Sequence, residues 1–277
     1  MRCAREGAEI SNVFKCPGFE LGNLVVDSMH TADLGCFCDA LGSLFWLEIA
    51  NKDWYRNQEE GIAALNRQLD AYYRENNVKG LSKVTPLVLS QIVARKPGYP
   101  WLKAKAASVR HLAEFGTQLA NNHMHGRDGL TLFAFPARHR LAPHQREHLD
   151  LLLDMFRGMS GYTRSMERCP FEAEECRTSM LLFLRSLSAL HHLWRAGVEE
   201  IRINRQPFAL RPKAHMLQHL VQDHISVFGN PAQYWCYRDE DFCGSVKCIC
   251  ARTKYPSTLE TRVMQKIRLL AGLGCRV

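Results

Sequence analysis

A mainly α fold follows from three features of this sequence. Apolar residues recur at three- and four-residue steps through most of 58–197, which is the period of a helix face. The breaks between these runs are short. Stretches with strand character are confined to "LVV" at 24–26, a short run at 200–204 and the alternating aromatics that begin "YWCY" at 234. With 46% hydrophobic and 23% charged residues, the composition is that of an ordinary globular chain.

The elements follow in order. In "ADLGCFCDALGSLFWLEIA", residues 32–50, Leu34, Cys38, Leu41, Phe45 and Ile49 fall on one helix face, so a helix is expected to start between Asp27 and Thr31. Residues 58–76 repeat Ile62, Leu65, Leu69 and Tyr72 or Tyr73 behind a glutamate-rich first turn and make a second helix. Thr85 and Pro86 have the character of an N-cap and a first helical residue, and "KPGYP" at 96–100 breaks the chain. Helix is expected again over 101–125, over "HQREHLDLLLDMFRGM", over "SMLLFLRSLSALHHLW" and over 212–228, and then as two basic helices at 244–252 and 257–271. No repeat of fixed period is present.

Composition excludes several classes. No apolar run approaches the ~18 residues of a membrane span, and "MRCAREGAEISN" lacks the apolar core of a secretory signal, so an intracellular protein without a membrane partner is expected. Eleven cysteines, an odd number, are scattered through a chain too long to need a disulfide framework, which favours reduced thiols. The one-residue gaps in Cys36-x-Cys38 and Cys248-x-Cys250 do not match zinc-ligand spacing. The net charge of +8 is concentrated at the end: residues 247–277 carry Lys247, Arg252, Lys254, Arg262, Lys266, Arg268 and Arg276 against Glu260 alone. That tail is a candidate polyanion surface, with a solvated helix face as the bland alternative.

His215 and His219 lie four apart on the 212–228 helix, with His224 less well aligned. Two histidines at this spacing can share a metal. Without the glutamate of a metalloprotease arrangement, surface or hydrogen-bonded histidines are the plainer expectation.

The segment "RPKAHMLQHLVQDHISVFGNPAQYWCYRDEDFCGSVK" resembles the C-terminal catalytic segment of CACTA-type (En/Spm-like) transposases. In that family a Pro-Lys-x-His-x-x-x-His helix and a Phe-Gly turn precede an aromatic-Arg-x-Glu-x-Phe-x-Gly motif. Far upstream, beyond a helical insertion, lies an Asp-x-Met-His element with Leu-Gly just after it, and "DSMHTADLG" at 27–35 is similar to it. The resemblance spans roughly 27–250 and implies three segments: 1–57 as part of a ribonuclease-H-like α/β fold, 58–205 as a helical insertion, and 206–277 as the C-terminal catalytic segment with a basic helical tail. By position, Glu240 resembles the glutamate of the family's aspartate-aspartate-glutamate triad, and Asp27 and His30 its accessory Asp-x-x-His element.

The chemistry implied is two-metal phosphoryl transfer, in which hard carboxylates such as Glu240 and Asp27 hold Mg²⁺ or Mn²⁺. The chain departs from the family at its start, since the 26 residues before Asp27 contain only Glu6, Glu9 and Glu20 as acids, none of them closing an apolar strand. An in-frame upstream extension carrying two strand-end aspartates would make this a truncated form of an active enzyme. As it stands, the chain by itself is not expected to cut or join DNA, and its metal binding should be weak. The functional expectation is a transposase-derived, nuclear protein or fragment that binds DNA through its backbone without sequence preference, with a homo-oligomer open to it. The alternative is a catalytically inert helical module for protein interaction. A metal-dependent hydrolase using His215, His219 and Glu240 is a third class. Asp27 and Glu240 are expected to approach each other; two unrelated helix caps would not.

Overall fold

One helix, α1 (Phe37–Ala50), has every residue buried, including the acids Asp39 and Glu48. Its sequence, "FCDALGSLFWLEIA", is apolar nearly all round, and such a helix stays soluble only as the axis of a core. The computed structural model describes residues 17, 24–50, 54–77, 83–84, 86–92, 99–125, 143–196, 206–251 and 258–272, and around α1 it arranges α2 (Gln58–Glu75), α3 (Leu89–Ile92), α4 (Ala106–His111), α5 (Ala113–His125), α6 (Pro143–Glu167), α7 (Ala173–Arg195), α8 (Pro212–His219), α9 (Ile225–Phe228), α10 (Tyr237–Ala251) and α11 (Leu259–Gly272). No described helix is long and apolar enough to cross a membrane.

The fold is mainly helical, and among the described residues there is no strand. The α/β portion expected of residues 1–57 therefore has no sheet there. Leu24–Val26 is non-helical chain whose long-range backbone bond goes to a side chain, Val26 N–H donating to Nδ1 of His224 at 3.1 Å. The aromatics at 234–237 are a turn into α10, and their alternation serves docking, with Tyr234 edge-on to Phe228 and Trp235 over Arg110. The run at 200–204 and Thr85 lie outside the described residues.

Long periodic segments form helices close to where the spacing puts them. Asn57 caps α2 by accepting from Glu60 N–H at 2.8 Å. The hairpin of α6 and α7 buries Leu149, Leu152, Phe156, Met159, Met180, Phe183 and Leu187, at roughly 1.5–3 kcal/mol for each large apolar side chain. Two expectations shrink. The helix sought at 101–125 begins only at Ala106 and breaks at Leu112, because 101–105 is spent crossing α1: Leu102 N–H donates to Cys38 O at 2.9 Å. Gly42 permits that crossing, since a Cβ there would lie 2.2 Å from Trp101 Cα. The helix sought after Pro86 is only Leu89–Ile92.

Phe37, Leu119 and Leu217, one from each segment the sequence suggests, belong to one core cluster. Where the chain re-enters at 206–211, Phe208 N–H donates to Ser43 Oγ at 2.8 Å, and Arg211 grips Asp39 with two bonds of 2.8 and 2.7 Å. Even so, burial pushes the Asp39 carboxyl up to about 6 against the pull of Arg211 and Lys213.

Candidate functional site

Residues 27–35, 212–219 and 234–244 meet, and Asp27 organises the meeting. It stands just before a helical turn at 28–36, and its carboxylate accepts from four nitrogens. Oδ1 takes Met29 N–H at 3.2 Å and Cys236 N–H at 3.0 Å. Oδ2 takes His30 N–H at 2.9 Å and the His30 ring at Nδ1, 2.5 Å away. The aspartate is thus a helix cap and also a tie to a backbone amide 209 residues away. Partial burial pushes its carboxyl up, but the bonds from His30, Cys236 and Met29 outweigh that and hold it below the ordinary range.

A carboxylate can only accept, so Asp27 fixes a proton on Nδ1 of His30 and turns Nε2 outward. There Nε2 meets Glu240 Oε1 at 3.2 Å, from the first turn of α10. The series Asp27, His30, Glu240 runs from a side chain 18% exposed through one 45% exposed to one 57% exposed, and so opens toward solvent.

Lys213 supplies the second support. Its Nζ donates to the carbonyls of His30 at 2.8 Å and Leu34 at 3.1 Å, satisfying two acceptors where the helix is distorted. Gly35 sits at that distortion with φ −122° and ψ −108°, and a Cβ on it would come within 2.7 Å of the Lys213 side chain. The lysine of the Pro-Lys motif and the glycine of the Leu-Gly motif therefore touch, and the contact gives each a physical reason for its residue type.

Four further residues complete the site; Asp33, Trp235 and Tyr237 lie inside stretches the sequence reading quoted but were not singled out as site residues, and Arg110 was not named at all. Asp33 is wholly buried, and Tyr237 O–H donates to its Oδ2 at 2.7 Å. Burial raises its carboxyl to about 7, with Tyr237 and Arg110 pulling down and Asp27 pushing up. Tyr237 is raised in turn by burial and by Asp33. The guanidinium of Arg110 lies 4.5 Å from the Trp235 ring centre and donates to Glu167 at 3.1 Å. An acid within an apolar helical run is the cue that could have drawn attention to Asp33; Trp235, Tyr237 and Arg110 become partners only through the fold.

The donor set suits paired Mg²⁺ ions poorly. Four N–H groups already fill the lone-pair positions of Asp27, and the His30 ring stands between it and Glu240. Asp27, His30 and the Cys236 sulfur place ligand atoms within 4.8 Å of one another, but a sulfur donor favours softer metals. What the arrangement offers directly is an oriented imidazole between two carboxylates, able to hold or pass a proton at Nε2.

The basic residues singled out by sequence divide. Lys247 on α10 and Arg262, Lys266 and Arg268 on α11 are exposed; Arg252 and Lys254 lie outside the described residues. The two helices pack on each other, and Val263 of α11 is buried. His215 and His219 lie on the solvent side of α8, opposite Ala214 and Leu217. Comparison with protein-family models, with curated proteins and with solved structures finds no match to this chain.

Proposed function

We propose that this chain is a transposase-derived protein or fragment, of the ribonuclease-H-like CACTA type, that acts in the nucleus and binds nucleic acid through the phosphate backbone without cutting it by itself. The observation that carries the reading is the convergence of Asp27, His30 and Glu240, with Lys213 and Gly35 in contact beneath them. Asp27 and His30 from the 27–35 motif, Lys213 from the helix at 212–219 and Glu240 from α10 lie together, which supports this reading. The exposed cations of α10 and α11 supply the charge for backbone contact, and α11 offers Gln265 as its one amide side chain for reading base edges.

The poor fit to paired Mg²⁺ supports the inert side of this reading, since a lone exposed glutamate cannot hold a scissile phosphate between two metals. On this view, strand transfer in the intact family draws on two aspartates and a sheet that the described residues do not supply. A rival reading, an inert helical module for protein interaction, draws on Val227, Phe242, Met264 and Leu269, which are large, apolar and exposed.

The deciding experiment is a titration of labelled duplex and single-stranded DNA against the full chain over a range of salt. The expected dissociation constant is ~10⁻⁴–10⁻⁶ M at physiological salt, tightening steeply as salt falls. Neutralising Arg262, Lys266 and Arg268 together, with circular dichroism unchanged, should lower both the affinity and the salt slope. Absence of binding at low salt, or a triple variant that binds like the parent, overturns the reading in favour of the interaction module.

A further inference from the structure

His215 and His219 do more than share a helix face. Their Nε2 atoms lie 3.2 Å apart, with the rings edge-to-face at 4.5 Å between centres. On its other side, Nδ1 of His219 meets Asp223 Oδ2 at 2.7 Å. Asp223 belongs to the π-helical turn Leu220–His224 that continues α8, a widened turn of the kind that often marks functional sites.

The chemistry of these three groups fixes their roles. Asp223 accepts, so His219 Nδ1 carries the proton and the neutral ring presents a lone pair at Nε2, toward His215. With both rings neutral and no metal, one proton shared between the Nε2 atoms accounts for the contact. A cation replaces that proton without rearrangement: metal–nitrogen bonds of about 2.0–2.1 Å put two ligands roughly 2.9 Å apart at a right angle and roughly 3.4 Å apart in a tetrahedron, and the observed separation falls between. A carboxylate on the far nitrogen of a ligating histidine is the usual outer support of such a site.

We infer that His215 and His219, with Asp223 orienting His219, form a binding site for a borderline divalent transition metal of the zinc type, separate from the Asp27 cluster on the other face of α8. Both histidines are exposed, so the site is open to exchange and its remaining positions go to water or to an anion. His215 also lines a cleft of about 890 Å³ that contains Arg177 and Arg185, which favours an anionic oxygen ligand there. The inference does not rest on the transposase reading, and either can fail without the other.

The test uses Co²⁺ as a spectroscopic probe, because the chain's eleven cysteines are competing ligands and thiolate ligation gives Co²⁺ an intense near-ultraviolet charge-transfer band. Expected is Co²⁺ uptake displaced by Zn²⁺, without that band, together with Zn²⁺-dependent shifts of the His215 and His219 Nε2 signals and none of His30, Zn²⁺ being the diamagnetic ion. His215→Ala and His219→Gln should each abolish the uptake with thermal melts unchanged, and Asp223→Asn should weaken it about 10–100-fold. Uptake that persists in both histidine variants, appears only with the thiolate band, or shifts His30 instead overturns the site. An unchanged affinity in Asp223→Asn overturns its orienting role.

Discussion

Two carboxylate–histidine pairs in this molecule have the same N···O distance, 2.5 Å, and different surroundings. Glu48 and His123 join α1 to α5 with side chains 4% and 3% exposed, and Trp54 stacks on the histidine at 5.5 Å between ring centres. Asp27 and His30 sit at the rim, 18% and 45% exposed, and the histidine reaches onward to Glu240. A pair sealed in the core can exchange neither proton nor ligand with solvent and serves as a strut. A pair whose histidine keeps one nitrogen toward water can do chemistry. Burial, rather than the pairing itself, separates the two roles.

The sharpest way to break this comparison is to cut the core pair. Glu48→Ala leaves His123 buried without its partner and should cost about 3–5 kcal/mol, a large part of a domain's usual 5–15 kcal/mol. Glu48→Gln, which keeps an acceptor, should recover most of it. Chemical denaturation of the parent and both variants checks this, and a loss under 1 kcal/mol for the alanine variant would show that the strut is dispensable.

Asp33 lies between the two regimes, fully buried yet bonded to Tyr237 of the site. Its carboxyl is raised from 3.8 to about 7, so the folded state holds a proton that the unfolded chain has lost over that interval. The stability it contributes is full below about pH 4 and is lost as pH rises to about 7. That rise in its pKa sets an upper limit of about 4 kcal/mol on the contribution. Asp39, raised to about 6, slopes the same way, and His148, lowered to about 4 by burial, slopes the opposite way, so the parent's overall profile mixes all three. The difference between Asp33→Asn and the parent isolates one group: the variant should gain on the parent as pH goes from 5 to 8. A parallel pair of profiles would remove the raised carboxyl from the account.

The core was more legible in the sequence than the site. α2, α6 and α7 carry a period-3.6 apolar stripe, which states a helix and its buried face together. The distortion at Gly35 was hidden because the side chain that satisfies its neighbouring carbonyls, Lys213, comes from a distant part of the sequence, its bond to His30 O spanning 183 residues. The strand expected at 24–26 failed because β-branched residues fit any half-buried extended chain, and here a histidine side chain rather than a neighbouring strand takes the amide. At the site, Asp27, His30 and Glu240 could be named from motifs, whereas the Cys236 amide could not, since a backbone donor has no sequence signature. Asp33, Asp39 and Glu48 share one legible cue: an acid in an apolar helical run needs a partner, although the run does not say which.

Asp27→Ala should have a middling effect on stability and a larger one on the site. Two capped amides and the Cys236 tie are lost, worth about 2 kcal/mol together. Asp27→Asn keeps one acceptor oxygen but turns an amide donor toward other donors, so it should recover only part of that loss. In both variants Asp27 no longer fixes the proton on Nδ1, and the His30 ring-nitrogen signals should move from those of the parent, with Glu240 still facing Nε2. Unchanged His30 signals would mean that the ring is held by packing and that Asp27 is only a cap.

Glu240→Gln completes the series at its smallest expected effect. Glu240 and His30 are about half exposed, and ion pairs in such settings contribute about 0.2–1 kcal/mol. Glutamine retains an acceptor at the same reach, so stability should change by less than about 0.5 kcal/mol. If the rim is open for chemistry rather than for folding, the change must appear on His30: its Nε2 signal should move with the loss of the charge 3.2 Å away, while Nδ1, held by Asp27, stays nearly fixed. DNA affinity should hold steady or tighten slightly, because one negative charge is removed. A loss above 1 kcal/mol would make Glu240 a second strut and erase the distinction between core and rim. Shifts at Nδ1 equal to those at Nε2 would mean that Asp27 does not fix the ring, and the oriented imidazole on which the proposed site rests would be lost with it.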